Sequence, residues 1–182
     1  MNKLFWGFFF LFLNFSVNMD VSSLQLLPDW VGFILLYAAC NELESESDMF
    51  QKPRPFCVGL SIYSAILWVL DFAGFDTAAG VLSWILSIAF SVLTLYVGYL
   101  VIEAFRNVEM RRNYDLCSVH LRKVWLVLAV TTAAGYVLLL LLPTLALVCA
   151  IAAGIAGIVF LVAVHGTRKA WHNMMDEQSR PL

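Results

Sequence analysis

Long apolar runs alternate along the chain with short polar stretches. Six runs stand out: Lys3 to Val17, Pro28 to Leu43, Phe56 to Gly74, Ala78 to Ile102, Leu121 to Leu142 and Leu145 to Val164. A bilayer-spanning helix takes about 20 apolar residues, with a range of roughly 17–25. The pattern predicts an all-α, polytopic integral membrane protein. Residues 1–182 form one domain, a single bundle of six transmembrane helices over about 3–17, 28–43, 56–74, 78–102, 121–142 and 145–164. The first two runs are short. At a rise of 1.5 Å per residue the second reaches only ~24 Å, so the pair is expected to sit in thinned bilayer, recruit interfacial residues or pack inside the bundle.

The breaks between runs have their own logic. Pro28 suits a first helical turn, where its missing N–H costs nothing, and Asp29 beside it faces the positive end of the helix dipole. Trp30 fits a membrane–water interface. The pattern leaves open whether Val21 to Leu27 adds a partial turn before Pro28. Pro53 and Pro55 close the second helix and set up the third. Arg106 to Arg112 can carry the fourth helix out of the bilayer, with Glu109 at the spacing to pair with Arg106 or Arg112. Leu142-Pro143-Thr144 reads as a tight hairpin. The tail reads as amphipathic for a turn or two and then frayed.

Composition strengthens the membrane reading. The chain is 62% apolar and 13% charged, with a mean hydropathy of +0.83, against about 45–50% and about 25% in soluble domains. The net charge of −2 implies no partner by itself, but the placement of charge is informative. With both termini inside and alternating spans, all 11 Lys and Arg residues fall on the cytoplasmic face, as the positive-inside tendency requires. The opposite connections carry only Asp20, Asp29, Asp71 and Asp76. The expected location is therefore the cytoplasmic membrane, multi-pass, with both termini cytoplasmic. Met1-Asn2-Lys3 before Leu4 to Leu13 mimics a signal peptide. The following Asn14-Phe15-Ser16-Val17-Asn18-Met19-Asp20 lacks a small-residue cleavage pattern, so an uncleaved first helix is expected. Cys40, Cys57, Cys117 and Cys149 form no CxxC pair, and free thiols are expected.

Two constellations carry candidate chemistry. Asn14 and Asn18, Asp29 and Asp71 fall toward the outer face. Acids in apolar membrane runs are costly and mark sites by default, so these four are candidates for an outward polar cluster that binds a cation or proton. The plainer reading is that Asp29 caps a helix and Asp71 reaches headgroup water. The second constellation is a stripe of small residues on the fourth helix, Gly80, Ser83, Ser87, Ser91, Thr94 and Gly98, repeated on the sixth by Ala150 and Gly154. Such stripes let membrane helices approach closely; close packing is the reading taken, and a face lining a polar path is the other. Tyr99, Glu103 and Arg106 share a face at the cytoplasmic end, which reads as an interfacial ion pair. Cys117 and His120 supply two metal ligands where zinc takes three or four, so no metal site is expected. No catalytic residue, cofactor motif, phosphate loop, nucleophile elbow or HExxH is present.

The run Leu27-Pro28-Asp29-Trp30-Val31-Gly32-Phe33-Ile34-Leu35-Leu36-Tyr37, with Phe50 and Lys52-Pro53-Arg54-Pro55-Phe56 beyond it, resembles a group of small uncharacterised membrane proteins of Gram-positive, clostridia-like bacteria. In that group an LPD(F/W)(I/V)G(Y/F) opening precedes the second helix. The resemblance covers about residues 10 to 60. It implies a bacterial cytoplasmic-membrane protein, singles out Asp29 and Gly32, and implies no activity. The first functional expectation is thus a non-enzymatic accessory or interaction subunit, partnered by the bilayer and by another membrane protein or a second copy of itself, not by nucleic acid. The alternatives are a small transporter or channel component using the outer polar cluster, and a lipid-modifying enzyme.

Overall fold

A computed structural model describes residues 1–12, 16–19, 22–25, 28–73, 81–141 and 143–179. Six α-helices and one short antiparallel hairpin account for most of the described residues. The helices are α1 (Asn2–Phe12), α2 (Asp29–Leu43), α3 (Arg54–Phe72), α4 (Val81–Arg112), α5 (Ser118–Leu141) and α6 (Pro143–Ser179). The hairpin pairs β1 (Ser16–Met19) with β2 (Ser22–Gln25), Val17 opposite Leu24 and Asn18 opposite Ser23. Four helical stretches are long and apolar enough to cross a membrane: Asp48–Leu70, Ser83–Arg112, Ser118–Leu139 and Val148–Glu177. At 11 and 15 residues, α1 and α2 reach only ~16 and ~22 Å.

The first helix is shorter than the hydrophobic run that predicts it. α1 stops at Phe12 and β1 begins at Ser16, so the expected helix over 3–17 is corrected and Asn18 lies on a strand. Ser and Asn compete with the helical backbone for its hydrogen bonds and favour other conformations. Four such residues, Asn14, Ser16, Asn18 and Ser22, crowd the end of the run. α2, α3 and α5 begin and end within three residues of the runs that predict them, α4 runs on past 102 to Arg112, and Pro28 occupies the cap position of α2 with φ −71°. The tail differs: α6 runs on to Ser179 instead of fraying after a turn or two. Phe160, Val164, Thr167, Trp171 and Met174 recur on one face and are all buried, and Trp171 meets Phe105 of α4 edge-on at 6.1 Å.

α1 and α2 cross through two glycines. A Cβ on Gly32 would sit 2.9 Å from the Gly7 carbonyl oxygen, and one on Gly7 would sit 3.0 Å from the Gly32 oxygen and 2.8 Å from Leu36 Cγ. Neither position has room for a side chain. α1 then packs antiparallel on α6, with Phe8 and Phe12 both edge-on to Phe160 at 5.3 Å and Phe5 edge-on to His165 at 5.7 Å. The core sits where α1, α2, α4 and α6 meet, around Phe8, Phe33, Phe105 and Phe160.

One end of the bundle gathers the start of α1, the end of α2, the start of α3 and the end of α4 through ion pairs. Lys3 pairs with Glu42, Arg54 with Glu44, and Arg112 with Glu46. Three acids spaced by two residues, at the end of α2 and in the turn after it, thus tie this segment to three different helices. Ser47 is buried beside them; its Oγ donates to Asn107 Oδ1 at 3.0 Å and accepts from the Met49 N–H. Glu109 does not pair with Arg106 or Arg112: its Oε2 accepts from the Ser118 N–H at 3.2 Å and so caps α5. An unsatisfied helix N-terminus takes a carboxylate more readily than an exposed arginine does. Arg106 pairs with Glu103 at 3.8 Å, as expected.

Candidate functional site

The short first helix leaves space at the other end. Leu11 and Phe12, at the end of α1, meet α3, α4, α5 and α6 there. A cavity of about 640 Å³ occupies that position. Leu11 and Phe12 of α1 line it together with Asp29 of α2; α3 contributes Tyr63, Ser64 and Trp68, α4 the face from Ser83 to Leu95, α5 Leu128 and Thr132, and α6 Ala153 and Gly154. Drug-sized ligands occupy pockets of roughly 300–1,000 Å³.

The lining is rich in hydrogen-bond acceptors. Thr94 donates to the Phe90 carbonyl and Thr132 to the Leu128 carbonyl, both at 2.8 Å. Ser64 donates to the Ser61 carbonyl at 3.3 Å. A hydroxyl has one proton and two lone pairs, so each of these oxygens has spent its donor and retains acceptor capacity. Ser91 is joined to Tyr136 at 2.5 Å across the α4–α5 contact. Asp29 is the one ionisable carboxyl among the described lining residues, and none of them is Lys or Arg. Its Oδ1 is buried and has no hydrogen-bond partner among the described residues. A buried acceptor without a donor costs about 1–3 kcal/mol, more when charged. Aromatic rings of Phe12, Tyr63, Trp68 and Phe90 also line the cavity. Trp30 and Trp68 meet edge-on at 6.5 Å, and Tyr63 and Phe90 lie 5.6 Å apart.

The residues singled out in the sequence are sorted by this geometry. Ser83, Ser87 and Ser91 line the cavity, and Ser87 is exposed. Gly98 packs as expected of the stripe, its missing Cβ replaced by Trp125 Nε1 at 3.1 Å. Gly154 lines the cavity, with nothing within 4 Å of a Cβ built on it. Ala150 is exposed. Asn14 and Gly80 lie outside the described residues, and Asn18 and Asp71 are described by their backbone alone, on β1 and in the last turn of α3. Of the four polar candidates, Asp29 is the one whose side chain is described, and it lines the cavity. Sequence reasoning did not single out Tyr63, Ser64 or Trp68. Tyr63, Ser64 and Trp68 lie on one face of α3 by helical spacing, and that polar interruption of an apolar run was the available signal. Gly7 was also missed, since one glycine inside Phe-rich sequence carries no mark of its partner.

Metal-holding groups of three or more His, Cys, Asp or Glu are absent among the described residues. All four cysteines are unpaired. At the ion-paired end, the hydrogen bonds from Arg54 and Gln51 hold the Glu44 carboxyl below the usual range. In comparisons with protein-family models, curated proteins and solved structures, the chain matches none.

Proposed function

We propose that the chain is a six-helix protein of the bacterial cytoplasmic membrane, with both termini inside, that binds a small cation in an outward-facing cavity as a transporter or channel component. The observation that carries this reading is Asp29: a buried carboxylate oxygen lacking a described donor, at a cavity lined by acceptor oxygens and by no described basic residue. The gathering of basic residues and their acidic partners at the opposite end supports the orientation. The three ion pairs there hold that end together while the cavity lies at the other, the arrangement an outward-facing state requires.

The test is charge movement on a solid-supported membrane with the reconstituted full chain, following jumps of Na⁺, K⁺, H⁺ and a small organic cation. A transient current is expected for at least one of them in the wild type, and it is lost in Asp29→Asn while that variant elutes as a single folded species. A folded wild type that moves no charge with any of them overturns the reading.

One observation favours a second reading, an accessory subunit. Ala150 is exposed on α6 and is not part of the cavity lining, a small residue of the kind that lets a neighbouring helix seat. Under this reading, Ala150→Leu removes a protein partner co-purified from the native membrane and leaves the thermal stability of the lone chain in place.

A further inference from the structure

Resting on the cation-binding reading, we infer that the cavity takes an organic amine, as its ammonium ion with an apolar stem, and not a bare metal ion. Three features of the lining define that chemistry. The first is charge. Asp29 is the one carboxylate among the described lining residues, which balances a single positive charge. Hard divalent ions take six or more oxygen ligands, usually including several carboxylates or carbonyls. The second is hydrogen-bond polarity. The Asp29 carboxylate and the hydroxyls of Ser64, Thr94 and Thr132 offer acceptors whose donors are absent or spent. An ammonium brings three donors and no acceptor.

The third feature is size and shape. A cavity of about 640 Å³ is some twenty times the ~30 Å³ share of one water, far more than a lone ion fills. Beside these groups and the serines of α4, its surface is apolar and aromatic, with Phe12, Leu67, Trp68 and Phe90. Aromatic faces attract a cation within about 6 Å of the ring centre, and the leucine and phenylalanine side chains receive a hydrocarbon stem. The amine comes either from solution or from the headgroup of an aminophospholipid; the recognition chemistry is the same.

The experiment measures binding to the full-length protein in phosphatidylglycerol nanodiscs by isothermal titration calorimetry. Phenethylamine is the probe, 2-phenylethanol its neutral counterpart, and NaCl, KCl and MgCl₂ the inorganic cations. Phenethylamine is expected to bind at least tenfold more tightly than the alcohol, and Asp29→Asn to remove that preference. Ser87→Leu, at an exposed lining position that tolerates an apolar side chain, is expected to block the probe even if Asp29→Asn fails to fold. Equal binding of amine and alcohol overturns the inference. So does binding of an inorganic cation that the amine does not displace, which leaves the cation reading standing. A folded protein that binds none of these overturns both. Nanodiscs containing phosphatidylethanolamine separate the two sources: loss of phenethylamine binding there assigns the site to the lipid headgroup, and unchanged binding assigns it to a soluble amine, each outcome supporting the amine chemistry.

Discussion

The glycine crossing of α1 and α2 gives the sharpest stability prediction. Replacing Gly32 by Ala places a methyl 2.9 Å from the Gly7 carbonyl oxygen and 3.0 Å from Leu11 Cγ. The leucine can rotate away, but the carbonyl is backbone and cannot. Ordinary contact begins near 3.4 Å, so the two helices must part by about half an ångström along their shared core. Overpacking of this kind costs typically about 1–3 kcal/mol. The substitution also carries the helix-propensity gain of Gly to Ala, about 1 kcal/mol, which has to be subtracted. Gly59→Ala supplies the control: it makes the same chemical change in α3 where nothing lies within 4 Å. The difference between the two variants isolates the crossing. At roughly 2–4 °C per kcal/mol for a chain of this size, Gly32→Ala is expected to melt about 2–12 °C below Gly59→Ala. A thiol-reactive dye reads the transition, since Cys40 and Cys57 are both fully buried and label on unfolding. Equal melting temperatures for the two variants would refute the close crossing.

Three further outcomes are expected. Trp171→Ala, which removes a 4%-exposed side chain from its contact with Phe105, is expected to cost about 3–5 kcal/mol and to open the end of α6 to limited proteolysis; an unchanged cleavage pattern would show that the tail is not held there. The Glu44 carboxyl is depressed by its hydrogen bond from Arg54, so its contribution to stability is present above the usual carboxylate pKa and disappears as pH falls through the lowered one. The melting-temperature gap between wild type and Glu44→Gln should therefore persist down to pH 4.5 and close only below it; closure by pH 5 would contradict the pairing. The Cys117 thiol is pushed up by partial burial, then by the Asp115 and Glu109 carboxylates. Its maleimide labelling in inside-out vesicles should accelerate as pH rises through 9, and labelling by an impermeant reagent on intact cells would overturn the proposed orientation.

Much of the helical layout was legible because apolar run length and proline placement are local signals. Pro28 and Asp29 mark the start of α2, and Pro143 opens α6 one residue after α5 ends. The gathering of charge at one end was legible too, although the pairing of Glu109 was not: capping by a backbone N–H nine residues away depends on the loop between, where Asn113 and Cys117 take left-handed conformations and Asp115 accepts from the Cys117 N–H. The role of the serine stripe was illegible for a different reason. Ser83, Ser87 and Ser91 present the same pattern whether they face a neighbouring helix or a cavity. What decides is tertiary packing, which sets these serines around one cavity with Leu11 and Phe12 of α1. The polar interruption of α3 by Tyr63 and Ser64 has meaning only once that space exists.

The packing of α1 on α6 joins two helices that stand far apart in the chain. Until Phe160 emerges from the ribosome, Phe8 and Phe12 lack the ring that both of them meet, and α1, at 11 residues, is too short to rest across a bilayer as an independent span. The α1–α2 pair, held by its glycine crossing, therefore completes its packing only once α6 has been made. A chain truncated after α5 leaves the Phe8 and Phe12 rings without the aromatic partner they share.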